Sequence, residues 1–233
     1  MTMDIRGIQK LTLVDFPGRI GAIFFTGSCN FRCPYCHNPC LVLDPESQPS
    51  VSKSEFIDFL EKRKGRLEGV VFSGGEPTLQ HDLPEYAAIA SAMGYAVKID
   101  TNGTNPEMIE KIYADGNLTM LGIDYKAPAS RYAAVTGNRD PQLTAKVKRT
   151  ITFAIANKID LDIRTTVHRA IVDENDLREM AEELAAMGVK EWNLQQFAGE
   201  DIIDTELADI PTFSLAELQK TAADICNFAK VRG

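Results

Sequence analysis

Cys29, Cys33 and Cys36 fall in one eight-residue run, Cys-Asn-Phe-Arg-Cys-Pro-Tyr-Cys. Three thiolates this close together can hold three irons of a cubane iron–sulfur cluster and leave the fourth iron without a protein ligand. An open iron is a place for a small molecule to bind, so it points to chemistry, whereas a fully ligated cluster points to electron transfer. A structural zinc site is the rival, with Cys29, Cys33, Cys36 and either His37 or Cys40 as ligands. Zinc sites normally pair two Cys-x2-Cys knuckles some distance apart, and no second knuckle follows in this chain.

Cys40 leaves a further choice open. Cys33-x2-Cys36-x3-Cys40 is similar to part of a ferredoxin binding run, which would close the fourth iron. The plainer reading is an unengaged loop thiol. Cys226 lies in a helical pattern with Ile225 and Phe228, where a buried, inert thiol is expected. Five cysteines with three of them clustered read as metal binding rather than as a disulfide framework.

Other polar groups recur at a constant place relative to short β-rich runs. Strands are expected near Gly21–Thr26, Gly69–Ser73, Ala96–Asp100, Met120–Tyr125, Asp160–Val167 and Glu191–Gln195. Amphipathic helices are expected at Lys53–Lys64, Leu83–Met93, Pro106–Ala114, Gln142–Asn157, Glu174–Met187 and Leu215–Lys230, the last capped by Ser214. Such alternation implies parallel βα units, either an open doubly wound sheet or a partial (β/α) barrel. Gly74-Gly75-Glu76-Pro77, Asp100-Thr101-Asn102-Gly103, Asp124-Tyr125-Lys126, His168 and Gln195-Gln196 all fall at strand C-termini, the rim where both architectures build active sites.

Each group also has a plainer structural reading. Gly74 and Gly75 let backbone approach a ligand beside the Glu76 carboxylate, yet a turn explains the same residues. Asp100 and Asp124 can simply cap turns, and Lys126 and Arg164 can be ordinary rim cations. His81 reads as surface, His168 as a candidate rim residue, and the acidic stretch Glu200 to Asp209 as a solvated loop.

At 233 residues, with 44% hydrophobic and 25% charged content, the chain reads as one folded domain, residues 1–233, without disordered linkers or repeats. A formal charge of −8 speaks against a general grip on nucleic-acid phosphates. The first residues lack an apolar signal core and the longest apolar runs are strand-sized, so no membrane association and a cytoplasmic location are expected.

The run Cys-x3-Cys-x2-Cys with Tyr35 before its last cysteine, followed by Gly-Gly-Glu-Pro, resembles the signatures of the radical S-adenosylmethionine (radical SAM) superfamily. The resemblance implies a partial (β/α)6 barrel, a 4Fe–4S cluster on Cys29, Cys33 and Cys36, and SAM chelating the open iron through its amino and carboxylate groups. It gives Glu76 the SAM ammonium and Tyr35 the border of the adenine, and it favours iron over zinc. No general acid or nucleophile is implied.

Cys36-His37-Asn38, the two motifs at Gly74 and Asp100, Asp124-Tyr125-Lys126 and Ile163-Arg164 occur in an order that looks like the glycyl-radical-enzyme activating enzymes. The lead-in Lys10 to Gly18 and Leu194-Gln195-Gln196-Phe197 are similar to the longer subgroup of anaerobic ribonucleoside-triphosphate reductase activating proteins. The expected partner is therefore an anaerobic ribonucleotide reductase, with flavodoxin or ferredoxin as electron donor.

The resemblance also implies a monovalent cation beside the SAM carboxylate, held by Asp100, Thr101 and Asp124 with backbone near Gly122. Lys126 and Arg164 are candidates for contact with the SAM carboxylate or ribose, and His168 for a rim role toward SAM or the target. Two departures matter. Gln195-Gln196-Phe197-Ala198 stands where the pyruvate formate-lyase activator has a histidine, and no cysteine-rich insertion separates Cys40 from Gly69, so one cluster is expected. The alternatives within the superfamily are an activator of another glycyl-radical enzyme and a radical SAM enzyme acting on a small metabolite, like the deazapurine-forming synthases.

Overall fold

The computed structural model describes residues 3–232. They form two compact units: residues up to Asn30 with Cys40–Thr101 and Asn105–Gly122, and Phe31–Pro39 with Asn102–Thr104 and the chain from Ile123 onward. Among the described residues no helix is long and apolar enough to cross a membrane.

The first unit runs β1 (Ile5–Thr12), β2 (Gly21–Thr26), α1 (Pro39–Leu43), α2 (Lys53–Arg63), β3 (Gly69–Gly74), α3 (Leu83–Ala92), β4 (Ala96–Thr101) and α4 (Pro106–Ala114), and β5 (Met120–Asp124) begins in it. β2, β3 and β4 are parallel neighbours, while β1 is an antiparallel strand on the other side of β2. Gly-Ala-Ile-Phe-Phe-Thr and Gly-Val-Val-Phe are near-continuous apolar runs because a parallel strand covered on both faces has no solvent side. Phe24 stacks edge-on to Phe56 at 4.7 Å, and Phe56 meets Tyr86 at 5.0 Å, which locks α2 and α3 onto the sheet. Thr26 pairs with Gly74 in register, so the cysteine run and the Gly-Gly-Glu turn leave their strands at the same level.

The second unit carries α5 (Tyr132–Thr136), α6 (Leu143–Ala156), β6 (Asp160–Val167), α7 (Glu174–Met187), β7 (Trp192–Gln196), α8 (Leu215–Ile225) and β8 (Ala229–Arg232). β6, β7 and β8 are parallel neighbours. Asp173 opens α7 with a capping box, its side chain accepting from the N–H groups of Asn175 and Asp176. On β6 the alternation places Ile163, Thr165 and Val167 in the interior of the unit, where the Trp192 indole donates to Thr165 Oγ1 at 2.9 Å.

The expected helix Leu215–Lys230 is corrected in its second half. Its start holds, with Ser214 and Glu217 forming a capping box, but the helix stops at Ile225 and Cys226 is already extended at φ −162°. Ala229–Arg232 then becomes an edge strand, an alternation too short and too polar to outweigh the helical pattern before it. Cys226 is half-buried, and together with Arg178 and Phe228 it lines a cavity of about 240 Å³. β1 escaped the pattern for the same reason as β8, since its exposed middle, Gln9-Lys10-Leu11, reads as loop.

Candidate functional site

In the first unit the base of the cysteine loop is tied shut. Ser28 N donates to Leu41 O at 2.8 Å, so the loop that carries the cysteines leaves and rejoins the unit at one point. Ser28 itself sits in the left-handed region at φ 68°, a conformation that costs a non-glycine residue roughly 1–2 kcal/mol and that turns the chain immediately before Cys29.

The Gly-Gly-Glu turn clasps this point. Gly75 N donates to Thr26 O and Glu76 N to Ser28 O, each at 2.8 Å. A Cβ on Gly75 would lie 1.9 Å from Ser28 O, and one on Gly74, at φ +112°, would lie 2.4 Å from Thr26 N. The sequence suggested that these glycines make room for a ligand. The space is filled by the chain's own backbone, so the glycines instead position the residue before Cys29.

Glu76 is buried, at 1% exposure. Its Oε1 accepts from Thr78 N at 3.0 Å, Thr78 Oγ1 at 2.6 Å and Thr101 Oγ1 at 2.6 Å. Three donors on one oxygen fix the carboxylate in place. Asp100 lies beside the fully buried Lys98, whose Nζ is 2.7 Å from Asp100 Oδ1 and 2.6 Å from Asp15 O. Beside Asp100, where the resemblance implied a monovalent cation, stands this ammonium group, which gave no signal in the sequence because a lysine in a strand reads as solvent-facing.

In the second unit Arg32 N donates to Thr136 O at 2.8 Å, Cys36 N to Cys33 O at 3.1 Å and Asp204 N to Pro34 O at 2.9 Å. The remainder of the cysteine run is thus held by backbone bonds on both sides. Cys33 and Tyr35 are buried and Cys36 is half-buried, as Cys29 is in the first unit. Burial pushes the Cys33 thiol up to about 11, with Lys126 pulling it down and Cys36 pushing it up. Metal-free Cys33 therefore carries its proton at neutral pH and releases it on binding a metal.

The hydroxyl of Tyr35 is buried with no hydrogen-bond partner, and Lys126 Nζ stands 5.8 Å from the centre of its ring. Lys126 Nζ binds Asp124 Oδ2 at 3.0 Å, and Arg164 Nε binds Asp124 Oδ1 at 3.1 Å. Burial alone would raise Asp124, but the two cations outweigh it and hold the carboxyl well below the usual carboxylate range. Burial likewise opposes the charge on Lys126, and Asp124 more than restores it.

His168 is completely buried rather than at a rim. Its Nδ1 accepts from Ala170 N, so its Nε2 carries the proton donated to Leu207 O, both at 3.2 Å, and Phe197 packs edge-on at 4.7 Å. With both nitrogens used on backbone, His168 pins the loop after β6 and does not reach outward. His37 Nδ1 is 3.3 Å from Glu200 O, and Cys40 is exposed on α1. His81 is exposed as expected.

A family model described as the radical SAM superfamily matches residues 23–185. The chain belongs to the radical SAM superfamily. Its cofactors are accordingly a 4Fe–4S cluster and SAM. A protein of Methanocaldococcus jannaschii proposed to be a glycyl-radical enzyme activating enzyme is 32% identical over 220 residues, 93% of this chain and 89% of its own length. The pyruvate formate-lyase-activating enzyme of Clostridium pasteurianum is 32% identical over 138 residues, 57% of each chain. The crystal structure of Streptococcus suis SuiB bound to S-adenosylmethionine superposes with a TM-score of 0.69 at 13% identity, covering 91% of this chain and 49% of that one. That likeness is one of fold, and it fits the partial (β/α)6 barrel expected from the sequence.

The residues suit these groups chemically. Among the described residues no three His, Cys, Asp or Glu side chains are gathered into a preformed metal cage, so the fit rests on the donor set. Three soft thiols suit iron. A fixed buried carboxylate suits an ammonium group, and the unsatisfied Tyr35 hydroxyl beside a cation suits a polar ligand.

Proposed function

We propose that this single-domain chain is an activase that installs a glycyl radical on a partner enzyme, and that the partner is an anaerobic ribonucleotide reductase in the cytoplasm. The observation that carries the reading is the likeness over 93% of the chain to a proposed glycyl-radical enzyme activator. The lead-in Lys10 to Gly18 and the Gln195-Gln196-Phe197 segment support the reductase over pyruvate formate-lyase.

In this reading Cys29, Cys33 and Cys36 hold the cluster. When bound, cluster and SAM would together supply, with one electron from the reduced donor, a reductive cleavage chemistry that ends in removal of hydrogen from a glycine. The chain's own contribution is to orient and to exclude water. Glu76 receives the methionine ammonium through a charge-assisted bond. Lys126 and Arg164 receive the carboxylate, drawing on the positive charge they now share with Asp124. Tyr35 borders the adenine, while Gly74 and Gly75 hold the turn. Asp100 and Thr101 anchor Lys98 and Glu76, so no monovalent cation is needed for charge balance at that point.

The test is electron paramagnetic resonance. Cluster-loaded protein is reduced without oxygen by flavodoxin or ferredoxin and mixed with SAM and an anaerobic ribonucleotide reductase. A glycyl-radical signal on the reductase is expected. Cleavage of SAM with no radical on any glycyl-radical enzyme, but with turnover of a small metabolite, would reject the activase reading.

A further inference from the structure

Asp162 on β6 is buried, at 4% exposure, and nothing in the site described so far uses it. Its Oδ1 accepts from Asn193 Nδ2 of β7 at 2.8 Å, and its Oδ2 accepts from Arg232 Nη1 of β8 at 3.2 Å. The same Oδ2 is 3.9 Å from Arg164 Nη1. Asp162 and Arg164 are two apart on one strand and so share a face, and Asn193 lies opposite Arg164 in the ladder.

Lys126, Asp124, Arg164, Asp162 and Arg232 therefore form one chain of alternating charge across the second unit. Arg164 is the middle member, and its side chain is 13% exposed. Its position is set from two sides, by Asp124 at Nε and by Asp162 at Nη1. Arg232 and Asn193 hold Asp162 in turn, so it cannot swing to bind Arg164 alone.

We infer that Asp162, braced by Arg232, is a positioning residue that aims the Arg164 guanidinium at the carboxylate of SAM. The inference rests on the reading above that Arg164 takes that carboxylate. Removing the charge of Asp162 takes away the carboxylate that lies between the Arg164 and Arg232 guanidinium groups, and their repulsion then acts on the position of Arg164. Removing Arg232 leaves Asp162 free to compete with Asp124 for Arg164.

The experiment measures equilibrium binding to the cluster-loaded protein, without oxygen, for two probes. One is SAM, and the other is its decarboxylated form, which keeps the nucleoside, sulfonium and ammonium but lacks the carboxylate. Asp162→Asn is expected to weaken SAM by about 10-fold and the decarboxylated probe by less than about 2-fold, the selective loss expected of a buried charge contact that serves one ligand group. Arg232→Gln, at a half-exposed strand edge, is expected to give the same pattern at smaller size and keeps the test available if Asp162→Asn does not fold.

Arg164→Gln is the control. If it weakens SAM selectively while both other variants bind like the parent, Asp162 is not a positioning residue and the inference falls alone. Equal loss of both probes in Asp162→Asn and Arg232→Gln shows a merely structural role and overturns it as well. If Arg164→Gln leaves SAM binding unchanged, the reading of Arg164 itself falls, and the inference with it.

Discussion

Glu76 and Asp124 are both carboxylates near strand ends, yet their surroundings differ in a way that predicts different behaviour. Glu76 has three hydrogen-bond donors on one oxygen. Glu76→Gln keeps the acceptor for those donors but removes the charge offered to an ammonium group. A hydrogen bond to a charged partner is worth about 1.5–3 kcal/mol, so SAM binding should weaken by roughly 10- to 100-fold with little change in folding. An unaltered dissociation constant in equilibrium binding would remove Glu76 from the SAM site.

Asp124 is held low by Lys126 and Arg164 against the effect of burial. A carboxyl depressed in the folded state stabilises the fold above its unfolded value, near 3.9, and loses that contribution as pH falls toward the folded value. Asp124→Asn should therefore be less stable than the parent at pH 7, with the gap closing below about pH 4. Urea midpoints of the two proteins across pH 3–7 check this, and a gap that is constant with pH would mean that the ion pairs contribute nothing.

Elements explain what the sequence made legible and what it did not. β2, β3 and β4 with α2 and α3 were readable because parallel strands are continuous apolar runs, α2 opens on a capping box and α3 has a proline in its first turn, whereas the short α1 gave no such signal. β1 and β8 were not, since an edge strand half in solvent has no such run. At the site, residue types were legible but their partners were not. Gly74-Gly75 stood out as a motif, whereas the backbone of Thr26 and Ser28 that demands those glycines comes from almost fifty residues earlier. Lys98 and Asp162 were passed over because isolated charges on strands normally face water. The alternation Asp162, Arg164, Thr166 was the available sign that β6 has a polar face.

The Gly75 clasp makes a prediction at this scale. In Gly75→Ala the new methyl would sit 1.9 Å from Ser28 O, backbone that cannot yield without moving Cys29's predecessor. The variant should lose about 2 kcal/mol or more of stability and retain less iron per chain after reconstitution. A parental urea midpoint together with parental iron content would show that the turn has slack and does not position the cysteine loop.

For the molecule as a whole, the proposed function requires that Cys29, Cys33 and Cys36 leave one iron of the cluster open to an amino-acid-bearing ligand. Cys40, exposed on α1, is the side chain that could close that iron instead. The decisive measurement is 5′-deoxyadenosine formed from SAM under reducing, oxygen-free conditions, alongside iron and sulfide content, in the parent, Cys40→Ala and Cys33→Ala. The prediction is four irons and full cleavage in the parent and in Cys40→Ala, with cleavage abolished in Cys33→Ala. Loss of the cluster in Cys40→Ala, or zinc in place of iron in protein purified without oxygen, would contradict it.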